Sequence, residues 1–227
     1  MNANSRLTFK SIISNFIDTI FNIDKGFFYT FWNLIRRPGF VVQSFIDGKR
    51  KRFTNPVKFF IIATAMQALF EYFFKHKEQG IPFTSFSFLS VEMNHSMHLW
   101  NQIITLDYPI LFGVLKILIW PIPLYFLFKK LNYNLAELIT GMMYFFSTIV
   151  ILLMLITMIH NPITNNNLSM EFVIILVTSY MIYALFNFYK KASISWRISG
   201  FITTFLILFA LRVFILPFSL SWFFPLN

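Results

Sequence analysis

Residues 138–159 read LITGMMYFFSTIVILLMLITMI, without a single Asp, Glu, Lys or Arg. At ~1.5 Å per helical residue, this stretch reaches across the ~30 Å hydrocarbon core of a bilayer. A helix that is apolar on every side must be covered by protein or by lipid. Similar stretches occupy 57–74, 108–128, 171–189 and 199–217. A single chain of 227 residues lacks the volume to hide all five from water. The expected fold is therefore all-α, a polytopic membrane protein with about five transmembrane helices preceded by amphipathic interfacial helices.

Composition agrees. Hydrophobic residues make up 57% of the chain, charged residues only 12%, and Phe alone fills 32 positions. Soluble domains average ~45–50% and ~25% for the first two classes. These values exclude an ordinary water-soluble enzyme and a disordered chain. The absence of cysteine excludes disulfides, thiol catalysis and Cys-based zinc sites. No secretory signal peptide is expected, because the first residues lack a continuous apolar core and a small-residue cleavage site.

Charge sets the expected orientation. Of the 19 Lys and Arg, 10 fall between Arg6 and Lys58. Lys129, Lys130, Lys190, Lys191 and Arg197 fill two loops on the same side of a five-span chain, whereas the opposite side holds Lys75 and Lys77. Cytoplasmic loops carry the positive excess. The amino terminus is thus expected in the cytosol and the carboxyl terminus outside, in the bacterial cytoplasmic membrane.

Two regions are expected, an interfacial basic collar over 1–55 and a transmembrane domain over 56–227. In the collar, Phe9, Ile12, Ile13, Phe16, Ile17, Ile20 and Phe21 recur at helical spacing. A second helix follows Gly26, and Pro38-Gly39 is expected to turn the chain sharply into a third, which Asp47-Gly48 ends. Lys49-Arg50-Lys51-Arg52 comes next, just ahead of Asn55-Pro56, a good N-cap and first helical residue for span one. Aromatic amphipathic helices beside basic runs lie in the membrane interface, where each Lys or Arg near anionic lipid contributes ~1 kcal/mol. Arg36, Arg37, Lys49, Arg50, Lys51 and Arg52 are the expected contacts to lipid headgroups or a partner.

Polar chemistry inside the bilayer has few candidates. Glu71, Lys116 and Arg212 fall within spans, in the outer half, and ionisable residues there face a bundle interior or a wet cavity, or snorkel to the surface. Pro121 and Pro123 each remove a backbone donor and should kink span two, one turn from Lys116. In the outer loop over 75–107, Met97, Trp100, Ile103 and Ile104 predict a short helix. Glu92, His95 and His98 would share one face of it, but their spacing is not the i, i+4 pair of zinc hydrolases. A solvated loop is the simpler expectation, so no metal and no cofactor is expected.

The stretch from Asp24 to Phe60 resembles the opening of an integral-membrane family of unknown function common in Bacteroidetes. The resemblance rests on Thr30, Arg37-Pro38-Gly39, Phe45 to Arg50 and Asn55-Pro56, with a second echo in Asn134-Leu135-Ala136-Glu137-Leu138. The family's pattern often has a His between the Glu and Leu of that echo, which is missing here. Many members begin with a zinc ribbon, for which this chain has no Cys. The resemblance implies location and architecture and supplies no activity.

Three functions follow in order of expectation. The first is an accessory or scaffold protein that engages anionic lipid or a partner through the inner collar. The second is a small transporter or channel using Glu71, Lys116 and Arg212. The third is a lipid-modifying enzyme, for which no nucleophile or base stands out. Anionic membrane lipids, a second copy or a protein partner are the expected associates, and nucleic acid is not.

Overall fold

The computed structural model describes residues 25–74, 87, 89–103, 109–164, 168–210 and 222. The helical pattern over 9–21 lies outside them. Every regular element among the described residues is helical: α1 (Lys25–Arg36), α2 (Pro38–Ile46), α3 (Pro56–Phe74), α4 (Val91–Gln102), α5 (Pro109–Ile119), α6 (Pro121–Leu127), α7 (Leu135–Thr164), α8 (Met170–Phe188) and α9 (Ile194–Ala210). Single 3₁₀ turns cover Arg50–Arg52 and Lys129–Leu131.

Local chemistry sets the helix ends. Asn55 Oδ1 accepts from the Val57 amide at 2.9 Å, and Pro56 opens α3 with its preset φ. Ser90 and Ser169 cap α4 and α8 through their hydroxyls. At α7 the cap is reciprocal: Asn134 Oδ1 accepts from the Glu137 amide, and Glu137 Oε2 accepts from the Asn134 amide, both at 2.9 Å. Gly48 takes φ +82°, the left-handed conformation that lets the chain leave α2.

Among the described residues, three helical stretches are long and apolar enough to cross a membrane: Arg50–Phe70, Leu135–Thr164 and Glu171–Phe188. Two shorter apolar stretches, Gly113–Leu127 and Ile194–Ile207, overlap the second span expected over 108–128 and the fifth expected over 199–217. The second is divided at Trp120, ahead of Pro121, into α5 and α6. A break there follows from the missing proline donor.

Helix α7 is the centre of the bundle. It packs most extensively on α3 and also touches α1, α2, α5, α6 and α8. Helix α9 rests on α6 and α8. One buried cluster joins Phe27, Leu34, Val41 and Val42 of α1 and α2 to Phe59, Ile62, Met142, Tyr144, Phe145 and Leu185 of the longer helices. The two amino-terminal helices therefore share the core of the bundle, although sequence alone reads them as a layer outside it. Outward faces are apolar as well: Leu118, Ile122 and Phe126, Leu155 and Ile159, Ile174 and Ile175, and Ile202 and Leu206 are all exposed. Water would not favour such a surface, and lipid would.

Candidate membrane-surface site

The amino-terminal helices reach the bundle through backbone carbonyls left without a partner. In α1, the carbonyl of Leu34 would ordinarily accept from the amide of residue 38. That residue is Pro38, which has no N–H. The Tyr180 hydroxyl of α8 donates to Leu34 O instead, at 3.1 Å. One turn on, the Tyr183 hydroxyl donates to Arg36 O. Both carbonyls are orphans of a helix end, and both are satisfied from across the fold. Just before α3, the Tyr144 hydroxyl donates to Thr54 O at 2.5 Å. The Thr54 amide donates to Thr30 Oγ1 at 2.8 Å, and that hydroxyl donates to Gly26 O at 2.6 Å.

Gly39 completes the seat. A Cβ at this position would lie 2.3 Å from the Asn187 carbonyl oxygen and 2.7 Å from the Phe188 nitrogen. The α2 backbone presses directly on the α8 backbone, so no larger side chain fits. This glycine stands inside α2. The expected sharp turn at Pro38-Gly39 is a one-residue break at Arg37, and the glycine serves close helix contact instead.

These contacts position the basic residues. Arg36, Arg37, Lys49, Arg50, Lys51 and Arg52 are all exposed. Phe53, directly after the basic run, is buried against the rings of Tyr29 and Phe40 and anchors it. Arg50 lies 5.1 Å from the Phe45 ring, and Arg36 lies 5.6 Å from Trp32. Beside them the outer face of α1 and α2 is aromatic, with Phe28 62%, Trp32 57% and Phe40 52% exposed.

The same end of the bundle gathers the other basic loops. Tyr133, in the loop after α6, donates to Gln43 Oε1 of α2 at 2.8 Å, and its ring lies 4.7 Å from Phe188. Burial, and secondarily the Glu137 and Asp47 carboxylates, pushes the Tyr133 phenol above the ordinary tyrosine range, so it stays a donor at neutral pH. Phe128 stacks on Tyr189 at 3.9 Å. Lys129, Lys130, Lys190 and Lys191 are exposed around these contacts. The acids here are few and occupied: Asp47 accepts from Gln43, and Glu137 caps α7.

The remaining sequence candidates fare differently. Arg212 lies outside the described residues, and so do the side chains of Glu71 and Lys116, whose positions fall on α3 and α5. Glu92, His95 and His98 are carried by α4, and among the described residues no three His, Asp or Glu gather as a metal site. Tyr144, Tyr180 and Tyr183 were not singled out from sequence. The only sequence sign is that Pro38 must orphan the carbonyl of Leu34.

A bundle with membrane-length helices and one basic, aromatic end is the class that this geometry defines. Residues 24–67 match the model of a family described as "Protein of unknown function (DUF3667)". That stretch holds α1, α2, the basic run and the first turns of α3, the part for which sequence reading noted a resemblance to a family of unknown function. No curated protein and no solved structure matches the chain.

Proposed function

We propose that this chain is an accessory or scaffold protein of the bacterial cytoplasmic membrane, crossing it five times with its amino terminus in the cytosol. Its inner basic collar engages anionic lipid headgroups and thereby holds a docking surface at the membrane face. One observation carries the reading: exposed Arg36, Arg37 and Lys49 to Arg52 adjoin an exposed aromatic face on helices whose other side is buried in the bundle. A soluble surface would not pair those properties, whereas the headgroup layer accepts both. No nucleophile–base pair is built at this end among the described residues, and the arrangement fits binding better than turnover.

The test is boundary-lipid composition in vesicles of phosphatidylglycerol and phosphatidylcholine, read by energy transfer to labelled lipids. The wild-type protein should enrich phosphatidylglycerol around itself, less so at high salt, as surface electrostatics require. A variant with Lys49, Arg50, Lys51 and Arg52 all replaced by Gln should lose most of the enrichment. Equal enrichment in both proteins would refute the collar as the lipid contact.

A further inference from the structure

Two short turns at the basic end of the bundle are built alike. Phe128-Lys129-Lys130-Leu131 follows α6, and Tyr189-Lys190-Lys191-Ala192 follows α8. The amide of the last residue in each turn donates to the carbonyl of the first: Leu131 N–H to Phe128 O and Ala192 N–H to Tyr189 O, both at 2.9 Å. The lysines hold the two central positions of each turn, and all four are exposed. The opening aromatics are buried and stack on each other, with centroids 3.9 Å apart and planes 13° apart. That stack pins the turns side by side, so the core itself holds the two lysine pairs as neighbours. Lys130 Nζ also lies 5.7 Å from the ring of Trp196, which packs edge-on against Phe128 near the start of α9.

No acid balances this charge. The chain has no Asp or Glu after Glu171. Glu137 is engaged in the cap of α7, and Asp47 accepts from Gln43. None of the four lysines is paired with a carboxylate among the described residues. Like charges held together attract a counter-ion that several of them share. The charge also borders an apolar outer face: Ile194, Ile198 and Ile202 follow one another along α9 at helical spacing, all exposed.

We propose that the two turns form a clamp for the headgroup of a phospholipid with two phosphates on a short bridge, the diphosphatidylglycerol class. One lysine pair meets each phosphate, and the acyl chains stay in the bilayer beside Ile194, Ile198 and Ile202. The lysines stand at the surface, so the phosphates need no entry path. A lipid with one phosphate satisfies one turn and leaves the other without a counter-ion. A headgroup carrying its own ammonium meets the lysines as a like charge. A soluble diphosphate reaches the lysines and gains nothing from the apolar face. The proposal rests on the preceding reading for the placement of this end at the headgroup layer. It differs from the collar in matching two paired charges to a single molecule.

Native mass spectrometry of the full chain, purified in mild detergent and delipidated, measures the first lipid bound. Wild-type protein should bind tetraoleoyl diphosphatidylglycerol about tenfold more tightly than dioleoyl phosphatidylglycerol at equal phosphate concentration. Replacing Lys129 and Lys130 with Gln, or Lys190 and Lys191 with Gln, should in each case bring the two lipids to equal affinity. The Gln variant of Lys49 to Arg52 should keep the preference while losing boundary enrichment, which separates the clamp from the collar. Equal affinity of wild-type protein for the two lipids, a comparison that needs no variant, would overturn the clamp. So would a preference unchanged in both lysine-pair variants, or one lost only in the collar variant. Displacement of the lipid by inorganic pyrophosphate at equal concentration would make a soluble diphosphate the occupant and overturn the lipid assignment.

Discussion

Helices α1 and α2 and helix α9 invert the ranking that hydropathy gives them. The first pair is short and interrupted, and sequence alone places it outside the spans. The second is an apolar stretch read as the fifth span. Yet Thr30, Leu34, Val41 and Val42 are fully buried, and four tyrosine hydroxyls from elsewhere in the chain hold this pair and the segment after it. Helix α9 is exposed along Ile194, Ile198, Ile202, Phe205, Leu206 and Ile207. Its buried positions include Gly200 and Thr204, and Arg197 ties it to α8 by donating to Phe186 O. The comparison teaches that apolar length reports what faces lipid, whereas firm packing depends on small residues and on backbone groups that need partners. In a bilayer the apolar effect does little to bring helices together, so these specific contacts decide.

The comparison can be broken most forcefully at its two glycines. Gly39→Ala places a Cβ against the α8 backbone, which cannot yield locally, and should destabilise the protein by about 3 kcal/mol. Gly200→Ala meets the buried Phe128 ring, a side chain that can yield where a backbone cannot, and should cost less, about 2 kcal/mol. Thermal unfolding in one detergent compares them, and a greater loss for Gly200→Ala would reverse the ranking of the two regions. Next come the tyrosines. Tyr144→Phe and Tyr180→Phe each leave a buried carbonyl without its donor and should cost about 1–2 kcal/mol. Tyr183→Phe acts beside exposed Arg36, where water substitutes, and should cost below about 0.5 kcal/mol on the same reasoning. Equal effects from all three would show that burial does not govern these ties.

Smaller still is the cap of α7. Asn134→Ala removes one half of the reciprocal pair with Glu137 and should cost about 1 kcal/mol or less. Changing Lys49, Arg50, Lys51 and Arg52 to Gln should leave the melting temperature unchanged, since all four side chains are exposed and none is paired with a carboxylate among the described residues. A large drop would mean that the basic run holds the fold together instead of facing lipid.

Sequence reading reached as far as local rules extend. A charge-free run at 138–159, Asn55-Pro56 at a helix start and Gly48 at a helix end each announce themselves within a few residues, and the structure forms those elements. The proline pair in span two predicts a kink, and the helix breaks at Trp120. The role of Gly39 was not legible, because nothing near it says that Asn187 will cross at backbone distance. Likewise the partners Tyr144, Tyr180 and Tyr183 lie far along the chain from Thr54, Leu34 and Arg36. Asn134 and Glu137 stood out only as part of a resemblance, although their spacing is that of a reciprocal helix cap. Among the basic residues, type and a common side were readable from their places between the spans, but the contacts of Tyr133 and Phe128 that pack those loops together were not.

Sidedness is the claim on which the rest depends. The chain has no cysteine, so a single introduced thiol reports without background. Lys51→Cys and Glu92→Cys should be labelled by a membrane-impermeant maleimide on opposite sides: the first only after cells are opened, the second in intact spheroplasts. Labelling of both from the same side, or of Lys51→Cys alone from outside, would contradict the account.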